Sequence, residues 1–213
     1  MIAARSKLET LTQSVVLYNQ NWDFYQRMLA EQEDASSPRL TFNQGTLEIK
    51  VASTQHEQIN RSAARLFETI AEEFGIDYVN TGSTTFDRED LQRGFQPDSS
   101  FYIQNADQIR GKLRINLSVD PPPDLVLEID ITHPSLNKLP IFAALGIPEV
   151  WRFSDDVLII LKLDGGEYHE QAESNAMPGV TSDQLTKLLK DSVQMKRADW
   201  LAAIRNLAHS LRA

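Results

Sequence analysis

The chain has 213 residues, of which 21 are basic and 30 are acidic, so its formal net charge is −9. This length suits one substantial domain or two small ones, and the absence of cysteine excludes disulfides, thiolate metal sites and cysteine nucleophiles. The negative charge argues against a protein that coats nucleic acid without sequence preference. No secretory signal or membrane span is evident, so we expect a cytoplasmic protein with no membrane partner.

The first half of the chain predicts two helices on either side of a hairpin. Asn21 is a helix cap before a helix over residues 22–33, and the hairpin turns at Asn43-Gln44-Gly45. A long helix covers residues 55–74, because its apolar side chains recur every three or four positions, and Gly75 ends it. The strands predicted here are 15–17, 39–42, 46–51, 78–80, 83–86 and 99–104.

The second half begins with a polar connection over residues 105–123 that ends in three prolines. An alternating strand follows, and then a helix that begins between Ser135 and Asn137 and ends at Gly146. The remaining predicted elements are strands at 150–153 and 157–163 and helices at 182–190 and 196–211. Together these elements predict a mixed α/β architecture around one sheet.

The stretch from Pro121 to Thr132, which reads PPPDLVLEIDIT, is the most informative part of the sequence. Its alternation predicts one core face and one polar face. The core face carries Leu125, Leu127, Ile129 and Ile131, and the other carries Asp124, Val126, Glu128 and Asp130. Neighbouring side chains on one face are roughly 7 Å apart, so these carboxylates repel one another unless a cation lies between them. A hard divalent cation such as Mg²⁺ prefers oxygen ligands and is the usual solution.

A second acidic strand reads QPDSSFYI, and the apolar Phe101 and Ile103 leave Asp98 on the opposite face. If the two strands pair, Asp98 and Glu128 hold one metal jointly, which would activate a water and stabilise a reacting phosphate. A positive group is also needed near the transition state. Lys138 is the candidate, because a side chain at the start of the following helix can lean back over the strand.

Four segments of the chain resemble the Uma family of restriction endonucleases, a branch of the PD-(D/E)XK nuclease superfamily. They are RLTFNQGTLEIKVAS (39–53), TGSTTFDREDL (81–91), QPDSSFYIQNADQIRG (96–111) and VDPPPDLVLEIDITHPSLNKLPIFAALGIPEVWRF (119–153). The resemblance implies an α/β fold with a restriction-endonuclease-like core, that is, a mixed central β-sheet flanked by helices. It also implies a nuclease-like domain over residues 39–190. To this domain are added an N-terminal strand and helix extension (1–38) that packs on the core and a C-terminal helix (191–213).

By this resemblance, Asp98 and Glu128 are the metal-binding acid pair of a Mg²⁺- or Mn²⁺-dependent endodeoxyribonuclease, a hydrolase that cleaves DNA and works as a homodimer. The superfamily places a lysine two residues after the second acid, where this chain has Asp130. Relatives with a relocated lysine imply that Lys138 substitutes from the helix. Asp130 is then a candidate for an additional catalytic group and metal ligand.

Ordinary structural roles compete with these assignments. Asp124 is more typical of a strand or turn cap than of a metal ligand. His56 and Glu57, the nearest candidates for a further acid-base group on the long helix, are weak ones. The aromatic residues are typical of a core rather than of a base-stacking surface. These residues are Trp22, Tyr25, Phe67, Phe142 and Trp151.

A different class of function also fits the sequence. The acidic charge, the displaced lysine and the lack of an evident basic groove favour a non-catalytic binding or assembly domain that retains the nuclease-like fold. Hydrolysis by two carboxylates without a metal, as in glycosidases, is a weaker alternative because sugar-stacking aromatic residues near the site are not evident.

Overall fold

The computed structural model describes residues 12–33, 35–131 and 136–212. Within these ranges the chain forms eleven strands in two sheets and six α-helices. The mixed α/β class is therefore confirmed, whereas the expectation of one sheet is wrong. Part of the predicted N-terminal extension and Ser135, where a helix start was predicted, lie outside the described residues.

The smaller sheet is antiparallel throughout. Its strands are β1 (Gln13–Leu17), β2 (Arg39–Asn43), β3 (Thr46–Val51), β5 (Phe86–Arg88) and β6 (Arg93–Phe95). Their order in the sheet is β1-β3-β2-β6-β5. Gln44 and Gly45 both take positive φ angles at the β2–β3 turn, which is the conformation that a tight hairpin requires.

The larger sheet is mixed, as the resemblance implies. Its strands are β4 (Val79–Asn80), β7 (Ser99–Tyr102), β8 (Leu125–Asp130), β9 (Glu149–Ser154), β10 (Val157–Asp164) and β11 (Glu167–Gln171). Their order is β11-β10-β9-β8-β7-β4, and only β8 and β9 among these described strands run parallel. The β8–β9 crossover passes through a helix, as parallel neighbours require.

Helices and the smaller sheet cover the two faces of the larger sheet. The helices are α1 (Trp22–Gln32), α2 (Thr54–Phe74), α3 (Ala106–Ile109), α4 (Leu139–Leu145), α5 (Ser182–Asp191) and α6 (Arg197–Arg212). One face packs against α2, α5 and α6, and the other packs against α4 and the aromatic residues of β5 and β6.

Both faces of β8 are consequently buried. Leu127 lies in the core under α2, whereas Val126 lies in the core under α4 and is fully buried. The prediction of one core face and one polar face is therefore wrong for Val126, because the second layer covers that side too. An acidic side chain on this strand must then find its partners inside the protein.

Helix α1 packs on the smaller sheet. Trp22 and Tyr25 form a core with Leu40, Phe42 and Leu47, and the rings of Tyr25 and Phe42 stack at 5.2 Å between centroids. The five aromatic residues predicted to be core are all buried, so that prediction is confirmed. The domain boundaries at residues 38 and 190 stay a prediction.

Gly94 tests how closely α1 sits on the smaller sheet. It lies between Phe42 and Asp87 on the neighbouring strands, and a Cβ atom there would be 2.8 Å from Tyr25 Cζ and 2.9 Å from Asp87 Cβ. We expect Gly94→Ala to lower the free energy of unfolding by about 1–3 kcal/mol, because the added methyl group overpacks this contact. Urea denaturation followed by circular dichroism measures the change.

The matched control is the same substitution in a Tyr25→Phe background. The phenol oxygen of Tyr25 is buried, accepts and donates no hydrogen bond among the described residues, and is the atom that the new methyl group would meet first. Its removal should reduce the cost of Gly94→Ala. An equal cost in both backgrounds would contradict this packing.

Candidate active site

Antiparallel pairing of β7 and β8 brings two buried carboxylates side by side. Ser99 pairs with Leu127, so Asp98 stands opposite Glu128, and the Ile129 backbone N–H donates to Asp98 Oδ2 at 2.7 Å. Both side chains are buried, with 3% of each residue exposed. The predicted joint metal site depends on pairing of the two acidic strands, and that pairing is present.

Two basic side chains from other elements contact Asp98. Arg39 on β2 lies 2.8 Å from Oδ1, and His56 in the first turn of α2 lies 3.2 Å from Oδ2. Burial alone would raise the pKa of Asp98, but its contact with His56 and the charges of Lys50, His56 and Arg39 outweigh burial and lower that pKa strongly. Asp98 is therefore ionised at neutral pH.

Glu128 has the opposite shift. Burial raises the pKa of Glu128, and the charges of Asp98 and Asp130 add to that effect, while Lys138 and Lys50 oppose it. Lys138, just before α4, donates to Glu128 Oε2 at 2.8 Å. The other oxygen, Oε1, is buried and accepts no hydrogen bond from any described residue. One lone-pair site of Glu128 is therefore open to a ligand.

Lys138 stays positively charged in this environment. Burial would lower the pKa of Lys138, but the charges of Glu128 and Asp98, the hydrogen bond to Glu128 and the charge of Glu48 together raise it. An ammonium group with a raised pKa can stabilise negative charge but is a poor proton acceptor.

A second lysine completes the site. Lys50 on β3 donates to the Ile129 carbonyl at 3.3 Å and lies 3.8 Å from Asp130 Oδ1. It is only 8% exposed, and Glu48, two residues earlier on the same strand face, is 3% exposed. The site thus joins the hairpin β2–β3, the start of α2, the paired strands β7 and β8, and the residue before α4.

The sequence interpretation missed Arg39, Glu48 and Lys50, and it underrated His56. One signal was available for the missed lysine, because Glu48-Ile49-Lys50 has the acid-x-lysine spacing of the superfamily, one hairpin earlier in the chain. The predicted residues Asp98, Glu128, Asp130 and Lys138 do lie together around one end of β8.

Asp124 lies at the other end of β8 and has a structural role, as the competing interpretation predicted. Its Oδ2 accepts from the backbone N–H groups of Ile103 and Asn105 at 2.6 and 3.2 Å, and its Oδ1 accepts from the Asn105 side chain at 2.9 Å. These bonds hold the turn after β7 against the start of β8.

The acidic side chains of the site can be compared with the ligands that Mg²⁺ requires. No three acidic or histidine side chains of the described residues form a group that could hold a metal by themselves. Mg²⁺ is, however, usually bound by one or two carboxylates together with waters and substrate phosphates. The unpaired Oε1 of Glu128 and a cavity of about 30 Å³ fit that mode for Glu128 and Asp130. Lys138, Arg152 and apolar residues such as Phe142 and Val150 also line this cavity, whereas Asp98 does not.

The pair of Glu128 and Lys138 gives a stability prediction. We expect Lys138→Met to lower the free energy of unfolding by about 3–5 kcal/mol, because it leaves a buried carboxylate without its cation. The double variant Glu128→Gln/Lys138→Met should be less destabilised than Lys138→Met alone. Urea denaturation of the full double-mutant cycle measures the coupling.

The control is Lys187→Met, which breaks an exposed pair with Asp191 on α5 and should cost about 0.5 kcal/mol or less. Additive effects of the two site substitutions would show that Glu128 and Lys138 do not depend on each other.

Comparisons with known proteins agree with the fold. A family model named Uma2, described as "Putative restriction endonuclease", matches residues 22–190. A crystal structure from Anabaena variabilis, described as "a putative nuclease belonging to DUF820", superposes with a TM-score of 0.54 at 13% identity. That match covers 75% of this chain and 96% of the other.

The comparison with curated proteins found no match for this chain. None of the helices in the described part of the chain combines the length and the hydropathy needed to cross a bilayer. Because the family model spans most of the sequence and includes both paired acidic strands, the chain belongs to the Uma2 family.

Proposed function

We propose that this protein is a metal-dependent endonuclease that hydrolyses DNA phosphodiester bonds. In this proposal Asp98, Glu128 and Asp130 are the ligands of Mg²⁺ or Mn²⁺, and Lys138 is the catalytic cation. The observation that carries it is the buried pair of Asp98 and Glu128 on adjacent strands, with Lys138 2.8 Å from Glu128. Membership of a family described as restriction endonucleases supports the same reaction class.

Each side chain has a distinct task in this proposal. A bound divalent cation would act as a Lewis acid toward the phosphate and lower the pKa of a water ligand. Asp98 supplies a permanent negative charge, since Arg39 and His56 hold it ionised. Glu128 offers its open Oε1, and its bond to Lys138 orients the ammonium group. Lys138 then stabilises the charge that develops on the phosphate.

One observation favours the non-catalytic alternative. Each acidic side chain of the site already has a cation beside it, because Arg39 and His56 contact Asp98, Lys138 contacts Glu128 and Lys50 lies near Asp130. Such a network can be purely structural, since structural ion pairs also shift pKa values. This alternative predicts no metal-dependent cleavage at all.

Cleavage of supercoiled plasmid and of mixed oligonucleotides, with Mg²⁺ or Mn²⁺, separates the two functions. We expect Asp98→Asn and Glu128→Gln to reduce the cleavage rate by about a hundredfold or more, and Lys138→Ala by about tenfold to a hundredfold. The matched control is Asp107→Asn, since this aspartate is 96% exposed and follows the far end of β7. Wild-type activity in the Asp98 and Glu128 variants would rule out the assignment.

The proposal includes a homodimer, because cutting both strands of a duplex in one encounter takes two active sites. The same plasmid assay then yields linear product early. Sedimentation velocity of the active sample should give the mass of two chains, and a monomer at high concentration would contradict the dimer.

A further inference from the structure

A polar cleft opens beside Asp98, and neither Glu128 nor Lys138 lines it. Its volume is about 500 Å³, and it lies between α2, the start of β2, the residues after β4 and the start of α6. Its charged lining residues are four arginines (Arg39, Arg61, Arg65 and Arg197) and three acids (Glu57, Glu68 and Asp98), and we call it the arginine cleft. No basic groove was evident from the sequence, because these arginines come from three separate elements.

The packing of α6 along α2 brings the arginines together. Glu73 near the end of α2 contacts Arg205 at 3.3 Å and His209 at 2.9 Å on α6. This fixes the first residue of α6, Arg197, beside the middle of α2. Arg61 and Arg65 are four residues apart and therefore project from one face of α2.

Two of the arginines have no acidic partner. Arg39 contacts Glu57 and Asp98, and Arg65 lies 3.6 Å from Glu68 and 3.4 Å from Glu72. Arg61 and Arg197, in contrast, form no ion pair with any residue that the structure describes, and both are exposed. An arginine without a counterion on a chain of net charge −9 is available to an anion from outside.

Arg197 is also held in place before any ligand arrives. Its guanidinium stacks over the Trp200 ring at 4.4 Å. Partial burial and the like charge of Arg65 lower the pKa of Arg197, so these cations lie close together with a mutual repulsion that an anion would relieve. A pre-oriented guanidinium loses little freedom when it binds a phosphate.

We propose that the arginine cleft binds the backbone phosphates of one nucleic-acid strand next to the acid pair, through Arg61 and Arg197. Guanidinium groups match phosphate oxygens with two parallel hydrogen bonds. The cleft has the volume of a small-ligand site, so one strand of a bound duplex enters it rather than the duplex as a whole. Asp98 and Ser99 line the cleft, so a strand held there passes beside Asp98. The inference rests on the proposed function for the identity of the anion as a nucleic-acid strand.

Binding can be measured without cleavage. Fluorescence anisotropy with labelled single-stranded and duplex oligonucleotides, in EDTA at about 50–200 mM salt, reports affinity and its salt dependence. We expect Arg61→Gln/Arg197→Gln to weaken binding at least tenfold at the lowest salt. The slope of log K against log salt should fall by about 1.4 for a single strand, since each phosphate contact contributes about 0.7.

The control removes the same charge elsewhere. Arg110 and Arg114 are exposed and follow the far end of β7, so Arg110→Gln/Arg114→Gln should change the affinity less than about twofold. Circular dichroism and urea denaturation check that both double variants fold.

Three results would overturn the inference: no binding by the wild type, unchanged binding by the cleft variant, or equal weakening in both double variants. Its failure is distinguishable from that of the endonuclease. Loss of binding in the cleft variant alone supports the cleft even if no DNA is cleaved, and metal-dependent cleavage with unchanged binding supports the endonuclease alone.

Discussion

Two carboxylates buried opposite each other, one just before β7 and one on β8, determine how the rest of the protein is arranged. Asp98 and Glu128 each lose hydration inside a sheet that is covered on both faces, and a buried charge is tolerated only when it is paired. The compensating groups come from four places, since Arg39 is on β2, Lys50 on β3, His56 on α2 and Lys138 before α4. Elements distant in sequence therefore converge on one end of β8.

Asp98 and Glu128 lie in different environments, which suits two acids with different roles in one reaction. Asp98 is beside basic side chains and a backbone donor and has a lowered pKa, whereas Glu128 is close to other acids and has a raised pKa. Pairs of titratable groups with oppositely shifted pKa values are typical of catalytic sites. The same network is close to neutral as it stands, so an added divalent cation must compete with Lys138 or Lys50 for the carboxylates.

The sequence predicts the elements with strong local patterns. The 3.6-residue periodicity of α2, its end at Gly75 and the alternation of β8 were all predicted, whereas the Ser53 cap of α2 was not. The edge strand β11 was not, because EYHEQ has one apolar residue and is mostly exposed. The three-residue strand β6 and the second sheet were also missed, since such short strands are defined by their partners rather than by their own pattern.

Only the site residues that belong to a recognisable sequence motif could be predicted. Asp98, Glu128 and Lys138 follow from strand and helix positions, but Arg39 and Lys50 look like ordinary hairpin residues until the hairpin is placed against β8. Arg61 and Arg197 come together through tertiary packing alone.

Calorimetric titration of Mn²⁺ into the wild type and into Glu128→Gln, each with and without a short DNA oligonucleotide, decides whether the acid pair is a metal site or an ion-pair network. The account predicts saturable binding to the wild type, strengthened by DNA, and at least tenfold weaker binding to Glu128→Gln. Circular dichroism confirms that both proteins are folded. Equal binding by the two proteins, or no binding by either even with DNA present, would contradict the account and leave the non-catalytic function in its place.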